Sequence, residues 1–267
     1  MNGEPTAPAE IAIRVENLTT RFGDKTILDD VSFDVRRGEV FVVVGGSGCG
    51  KTTLLRHMIG LLKPAEGRIF IGDEDITKLE EDALQRVQRN LGVTFQAGAL
   101  FGSLTLGQNV ALPLQEHTDL AADTIDLLVR IKLDMVSLGG FENFMISELS
   151  GGMKKRAALA RAMALDPSIL FFDEPSAGLD PITSAELDAL IVQINRSLGA
   201  TMIVVSHELP SIFTIGDRVI MIDGVSHRIV AEGDPRHLRD HSDDPIVRAF
   251  FNRLAERPVV EEKSHGV

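Results

Sequence analysis

Apolar positions along this chain follow two rhythms. Ile11, Ile13 and Val15 alternate with smaller or polar residues, and Val31, Phe33 and Val35 repeat the alternation beyond Gly23-Asp24. A period of two marks strands with one buried face, so the chain is expected to open with antiparallel strands. Arg37-Gly38-Glu39 then turns into the unbroken apolar run Val40–Val44, the pattern of a strand buried on both faces in a parallel sheet. Further short strands are expected at 67–75, 91–96, 169–173, 200–206 and 218–223, with an edge strand within 225–232. Helical spacing dominates 52–62, 79–90, 105–114, 119–136 and 153–165. Thr105 and Asp119 stand where N-caps belong, and Asp166-Pro167 provides a stop. The stretch from Gln96 to Ser150 contains no strand-like run and reads as a helical insert. One or two short amphipathic helices are expected between Asp234 and Arg257. The pattern predicts an α/β fold with an N-terminal antiparallel β subdomain and a helical subdomain at about 97–157. The main domain would span 11–233, between a loose N-terminus at 1–10 and a C-terminal extension at 234–267.

The loop after Val40–Val44 carries the first chemistry. Gly45-Gly46-Ser47-Gly48-Cys49-Gly50-Lys51-Thr52-Thr53 satisfies G-x-x-x-x-G-K-[ST] between a predicted strand and a predicted helix. Glycines let the backbone curl so that its N–H groups face phosphate oxygens, and the helix start adds about half a positive charge. Lys51 then reaches the outer phosphates while the Thr52 hydroxyl ligates Mg²⁺. The expected fold is a P-loop NTPase of the RecA-like kind, with ATP and Mg²⁺ as cofactors.

Ile169–Phe172 delivers Asp173 and Glu174 at the C-terminal end of a buried strand, the edge where ligands sit in such sheets. Asp173 is placed for the Mg²⁺ shell and Glu174 for polarising an attacking water. Ser150-Gly151-Gly152 opens a basic helix with a capping hydroxyl and an uncluttered N-terminus, suited to an anion. Since the loop at Gly45 already cradles phosphates, this second anion site is expected to serve the nucleotide of a second, identical chain.

Composition narrows the setting. With 27 basic against 39 acidic residues, the net charge of −12 argues against non-specific nucleic-acid binding. Cys49 is the single cysteine, which precludes an intrachain disulfide and points to a reducing compartment. No apolar run approaches the ~18 residues that span a bilayer, and 1–10 lacks signal-peptide features. The chain alone is expected to be cytoplasmic.

The ordered set Gly45–Thr52, Gln96, Leu149-Ser150-Gly151-Gly152-Met153, Phe171–Pro175, Ser176–Asp180 and Ser206-His207 resembles the ATPase subunits of ABC transporters over roughly 11–233. The resemblance implies that Gln96 contacts Mg²⁺ and relays nucleotide state to a membrane partner. It implies that His207 is a switch at the γ-phosphate, that Asp180 bridges two subunits and that Phe22 stacks on adenine. No Tyr or Trp is present to replace Phe22 in that task. Met153 stands where the family usually has Gln. Together with 95–105, Asn109–Leu114, 151–162 and 173–183, it makes the chain similar to the ATPases of Mla/MCE phospholipid transport systems. That likeness implies a homodimer beneath two copies of a permease on the inner membrane, with an MCE-domain protein outside and a small STAS-domain protein bound. Transport of another substrate, a lipoprotein or a small molecule, is the alternative within the class. A soluble ABC ATPase normally carries two cassettes or a long coiled coil, and a P-loop kinase leaves the 149–153 motif and His207 without a role. The stripe Ile246, Val247, Phe250, Phe251 and Leu254 is a candidate docking surface, or else packs on its own domain.

Overall fold

The computed structural model describes residues 10–254. Of the predicted loose start at 1–10, residues 1–9 lie outside the described residues, as does the acidic end from Pro258, while Glu10 pairs with Arg37 at 2.7 Å. A long hairpin forms first, β1 (Ile11–Phe22) against β2 (Lys25–Arg36), closed at Gly23-Asp24. With β4 (Glu66–Ile71) and β5 (Glu74–Asp75) it makes an antiparallel sheet in the order β2-β1-β4-β5. Register shifts between Val15 and Leu18 and again before Thr20 mark bulges, with Asn17 in the left-handed region at φ 49°.

The second sheet holds β3 (Val40–Gly45), β6 (Leu91–Thr94), β7 (Ile169–Asp173), β8 (Thr201–Val205), β9 (Arg218–Ile222) and β10 (Ile229–Gly233). Its order is β10-β9-β3-β8-β7-β6; all neighbours run parallel except the edge strand β10. Alternate residues of β3 go to different cores. Val40, Val42 and Val44 join one cluster and Phe41 and Val43 the other, so both faces are covered and the run has to be apolar throughout. Because β3 and β7 are parallel and separated by β8 alone, the loop after Gly45 and the acids at Asp173 emerge on the same edge.

The helices are α1 (Lys51–Met58), α2 (Glu81–Gln88), α3 (Leu106–His117), α4 (Ala122–Met135), α5 (Gly151–Ala162), α6 (Pro181–Leu198), α7 (Leu209–Ile215), α8 (Pro235–His241) and α9 (Pro245–Phe251). Several boundaries differ from expectation, α5 among them, which spans Gly151–Ala162 rather than 153–165. Helix α1 stops at Met58 rather than Leu62, because the turn at Gly60 enters the left-handed region at φ 75°. Helix α3 runs past Leu114 to His117, where the Thr118 hydroxyl bonds back to the Leu114 carbonyl at 2.6 Å. After that closure the N-cap of α4 is Ala121, not Asp119. Thr105 does cap α3, reciprocally with Gln108.

The C-terminal stripe is committed to its own fold. Val247 and Phe251 are buried in the large core cluster, and the Phe251 ring lies 6.0 Å from Phe213 of α7. Leu254 is the exposed member of the stripe. No helix among the described residues is long and apolar enough to cross a membrane.

Candidate nucleotide site

The backbone between β3 and α1 curls because Gly45, Gly48 and Gly50 take φ values of 147°, 76° and 105°. At Gly45 a Cβ would also stand 2.4 Å from the Ile222 carbonyl oxygen, so glycine is required twice over. The loop forms the floor of a cleft of about 620 Å³, a volume suited to a nucleotide. Gly45, Gly46, Ser47, Gly48, Gly50, Lys51, Thr52 and Thr53 line it, and Gln96, Glu174 and His207 face them. Most of the predicted phosphate and water-activating residues therefore meet in one place, from four segments distant in sequence.

Within the cleft Lys51 donates to the carbonyls of Gly45 and Gly46, both at 3.0 Å. Its ammonium is held inside the curl that phosphates would fill. The Thr52 hydroxyl donates to Asp173 Oδ1 at 3.0 Å. Burial pushes the Asp173 carboxyl up, opposed by that hydrogen bond and helped by the Glu174 charge. A cation would reverse the balance. Hydroxyl, carboxylate and the nearby Gln96 amide are hard oxygen donors, the set that holds Mg²⁺ together with substrate phosphates. Among the described residues no group of three or more His, Cys, Asp or Glu side chains is placed to hold a metal ion by itself.

Glu174 sits just past β7 at φ 50°, a left-handed conformation that a glutamate adopts at a cost of about 1–3 kcal/mol. The Glu174 amide donates to the Val205 carbonyl and its Oε1 pairs with His207 Nδ1 at 2.8 Å. Oε2 is buried without a hydrogen-bond partner. A strained, desolvated carboxylate with one unused oxygen is built to receive a proton donor, as an attacking water would be.

Other predicted residues lie outside this cleft. Phe22 is 55% exposed at the hairpin end of β1, a free ring face but not a wall of the cleft. The Cys49 thiol is buried in the core behind the loop, and that burial pushes its pKa up, so only the backbone of Cys49 belongs to the curl. Ser150 caps α5, its hydroxyl accepting from the Met153 amide at 3.3 Å, and Gly151 and Gly152 follow. None of the three lines the cleft of its own chain. Asp180 is exposed and caps α6 through the amides of Ile182 and Thr183, and the Thr183 hydroxyl foremost holds its carboxyl below the usual range.

Two cleft residues had no signal of their own. Ile27 of β2 closes one side, its Cγ2 within 3.1 Å of where a Cβ on Gly50 would stand. Phe250 of α9 arrives from the far end of the chain, and its place in a helical apolar stripe gave no hint of the cleft.

A parallel sheet with a glycine loop and a strand-end acid pair on one edge defines a P-loop nucleoside triphosphatase. The family model described as "ABC transporter" matches residues 28–177, and the chain belongs to that family, as one of its ATP-hydrolysing subunits. It is 42% identical over 268 residues to the "Probable ribonucleotide transport ATP-binding protein mkl" of Mycobacterium leprae, covering all of this chain and 76% of that protein. It is 41% identical over 247 residues to the "Intermembrane phospholipid transport system ATP-binding protein MlaF" of Haemophilus influenzae, covering 92% of each. The MlaF of Escherichia coli K12 is 43% identical, with 89% of this chain and 87% of the relative aligned. Among solved structures, a dimeric ATP-binding cassette bound to ADP and Pi aligns with TM-score 0.76 at 30% identity, over 83% of this chain and 98% of that one. The cbiO1 subunit of Clostridium perfringens aligns with TM-score 0.80 at 28% identity, over 92% and 96%.

The cleft geometry gives a direct expectation for its lysine. Lys51→Ala removes the cation inside the curl and should weaken ATP binding by about tenfold to a hundredfold, the range of 1.4–2.8 kcal/mol for a lost charged contact. Titration of a fluorescent ATP analogue measures it, and an unchanged affinity would contradict the placement of phosphates in this loop.

Proposed function

We propose that two copies of this chain close on two Mg·ATP and drive a membrane permease that moves phospholipid between the inner membrane and the outer envelope. The observation that carries the motor reading is the separation of the Ser150–Gly152 turn from the cleft of its own chain. A capped helix N-terminus outside the cleft of its own chain makes sense once a second copy, related by a two-fold axis, presents its cleft there. In that dimer Lys51 and the loop amides bind the phosphates, and Thr52, Asp173 and Gln96 hold Mg²⁺. Glu174 activates water and His207 senses the γ-phosphate. Phe22 stacks on adenine, and Asp180 reaches across the interface.

The permease would dock beside the Gln96 loop, in a groove of about 340 Å³ lined by Arg89, Val93, Phe95, Ala99, Pro113 and Arg161. One wall is the loop that reads the nucleotide, and the other belongs to α2, α3 and α5. The chain would lie on the cytoplasmic face of the inner membrane, with an MCE-domain protein and a small STAS-domain protein in the same assembly. Similarity to the MlaF proteins runs nearly end to end in both partners, which favours phospholipid. The match to the mkl protein over the whole of this chain and 76% of that protein favours ribonucleotide as the second reading.

Purifying the complex from detergent-solubilised membrane and returning it to vesicles with fluorescent phospholipid separates the two. ATP-dependent lipid transfer, lost with Glu174→Gln, is expected. Absence of lipid movement together with ATPase stimulation by ribonucleotides would overturn the phospholipid assignment.

A further inference from the structure

Lys155, on the second turn of α5, touches two of the stations just described. Its ammonium donates to the Gln96 carbonyl at 2.7 Å and to the Glu174 carbonyl at 3.4 Å. An ammonium carries three N–H donors, so one side chain satisfies both backbones at once. Its side chain lines a narrow, mainly apolar slot together with Phe95, Phe172, Pro175 and Leu187. Burial pulls its pKa down, while the carboxylates of Asp173 and Glu174 pull it back up. A half-buried lysine spent on two loop carbonyls is not placed there for helix solubility. Farther along the same helix Arg161 donates to the Ala99 carbonyl and lies 4.8 Å from the Phe101 ring. Helix α5 therefore grips the 96–101 loop at both ends.

The backbone that Lys155 holds is the part most in need of support. Glu174 keeps its left-handed conformation through its amide on Val205, the Ala177 amide on its carbonyl, and Lys155 on that same carbonyl. Such strain persists where surrounding contacts over-determine it.

We propose that Lys155 is a positioning residue that ties the Gln96 loop and the Glu174 backbone of one protomer to the helix whose N-terminus completes its partner's site. Movement of α5 as the partner's nucleotide binds or leaves is then felt at the groups acting on this protomer's own nucleotide, through one side chain. The inference rests on the assignment of Glu174 as the water-activating residue and of α5 as half of a second site.

The test uses full-length dimeric protein and steady-state ATPase rates against ATP concentration. Lys155→Met keeps the stem in its slot and deletes every donor, whereas Lys155→Arg keeps charge and donors. Expected for Lys155→Met is a fall in kcat of about tenfold, the effect of misplacing a catalytic group, with KM for ATP held within about twofold and Tm near that of the parent. Lys155→Arg should recover most of the lost kcat. Unchanged kcat in Lys155→Met would overturn the proposal, as would joint loss of kcat, KM and Tm in both variants. Glu174→Gln is measured beside them. If that variant turns over normally, the catalytic assignment fails; if it stalls while Lys155→Met is unaffected, the positioning role alone fails.

Discussion

Glu174→Gln should bind ATP as tightly as the parent chain and hydrolyse it about a hundredfold to ten-thousandfold more slowly, the span attributed to a lost general base. The replacement is isosteric, so the strained turn after β7, its Val205 contact and its Lys155 contact all survive. What disappears is the anionic oxygen pair. At present Oε1 pairs with His207 and Oε2 is buried without a partner. A neutral amide in that place neither accepts a water proton nor gains from doing so. The phosphate curl is formed by Gly45–Thr53 and Lys51 and is untouched. Binding without turnover should also trap the closed pair, visible as an ATP-dependent dimer on gel filtration. Phosphate release near the parental rate would end the assignment of Glu174 and, with it, the account of the cleft.

Much of this site was legible because its residues come with short-range company. The glycines, Lys51 and Thr52 form one contiguous word between a strand and a helix, and Asp173-Glu174 closes a run too apolar to be anything but a central strand. Period-two alternation likewise announced β1 and β2, and the capping pattern at Thr105 and Ser150 placed α3 and α5. What could not be read depended on distant chain. Phe250 reaches the cleft only because α9 packs on α7, directly after the loop carrying His207. Lys155 looks like one more cation on a basic helix until the fold lays Gln96 and Glu174 beneath it. Cys49, counted with the phosphate loop by position, has its thiol buried in the core, 2.7 Å from where a Cβ on Gly45 would stand. Asp119 follows a closure made one residue earlier, at Thr118, and the N-cap of α4 is Ala121.

The two-copy architecture makes the sharpest demand on Gly151, a position whose side chain would matter little to a lone protomer. A Cβ there meets only the Leu179 Cδ2 at 3.7 Å, ordinary contact, whereas one at Gly152 would strike the Thr183 Cγ2 at 2.5 Å. Gly151→Asp therefore tests function without confounding it with folding. An acid in the first turn of α5 even favours the helix, by about 0.3–1 kcal/mol. Yet it points negative charge at whatever anion that N-terminus receives. If the anion is a second copy's ATP, the variant should keep its Tm and its own nucleotide affinity while ATPase activity falls about a hundredfold or more, as when a preorganised anion donor is lost. ATP-dependent dimers should vanish as well. Mixing the variant with parent protein should restore part of the turnover, because each mixed pair retains one composite site whose glycine turn is intact. A monomer sufficient for hydrolysis predicts the opposite, with activity in Gly151→Asp equal to the parent's, and that result would dismantle the paired-motor account at its base.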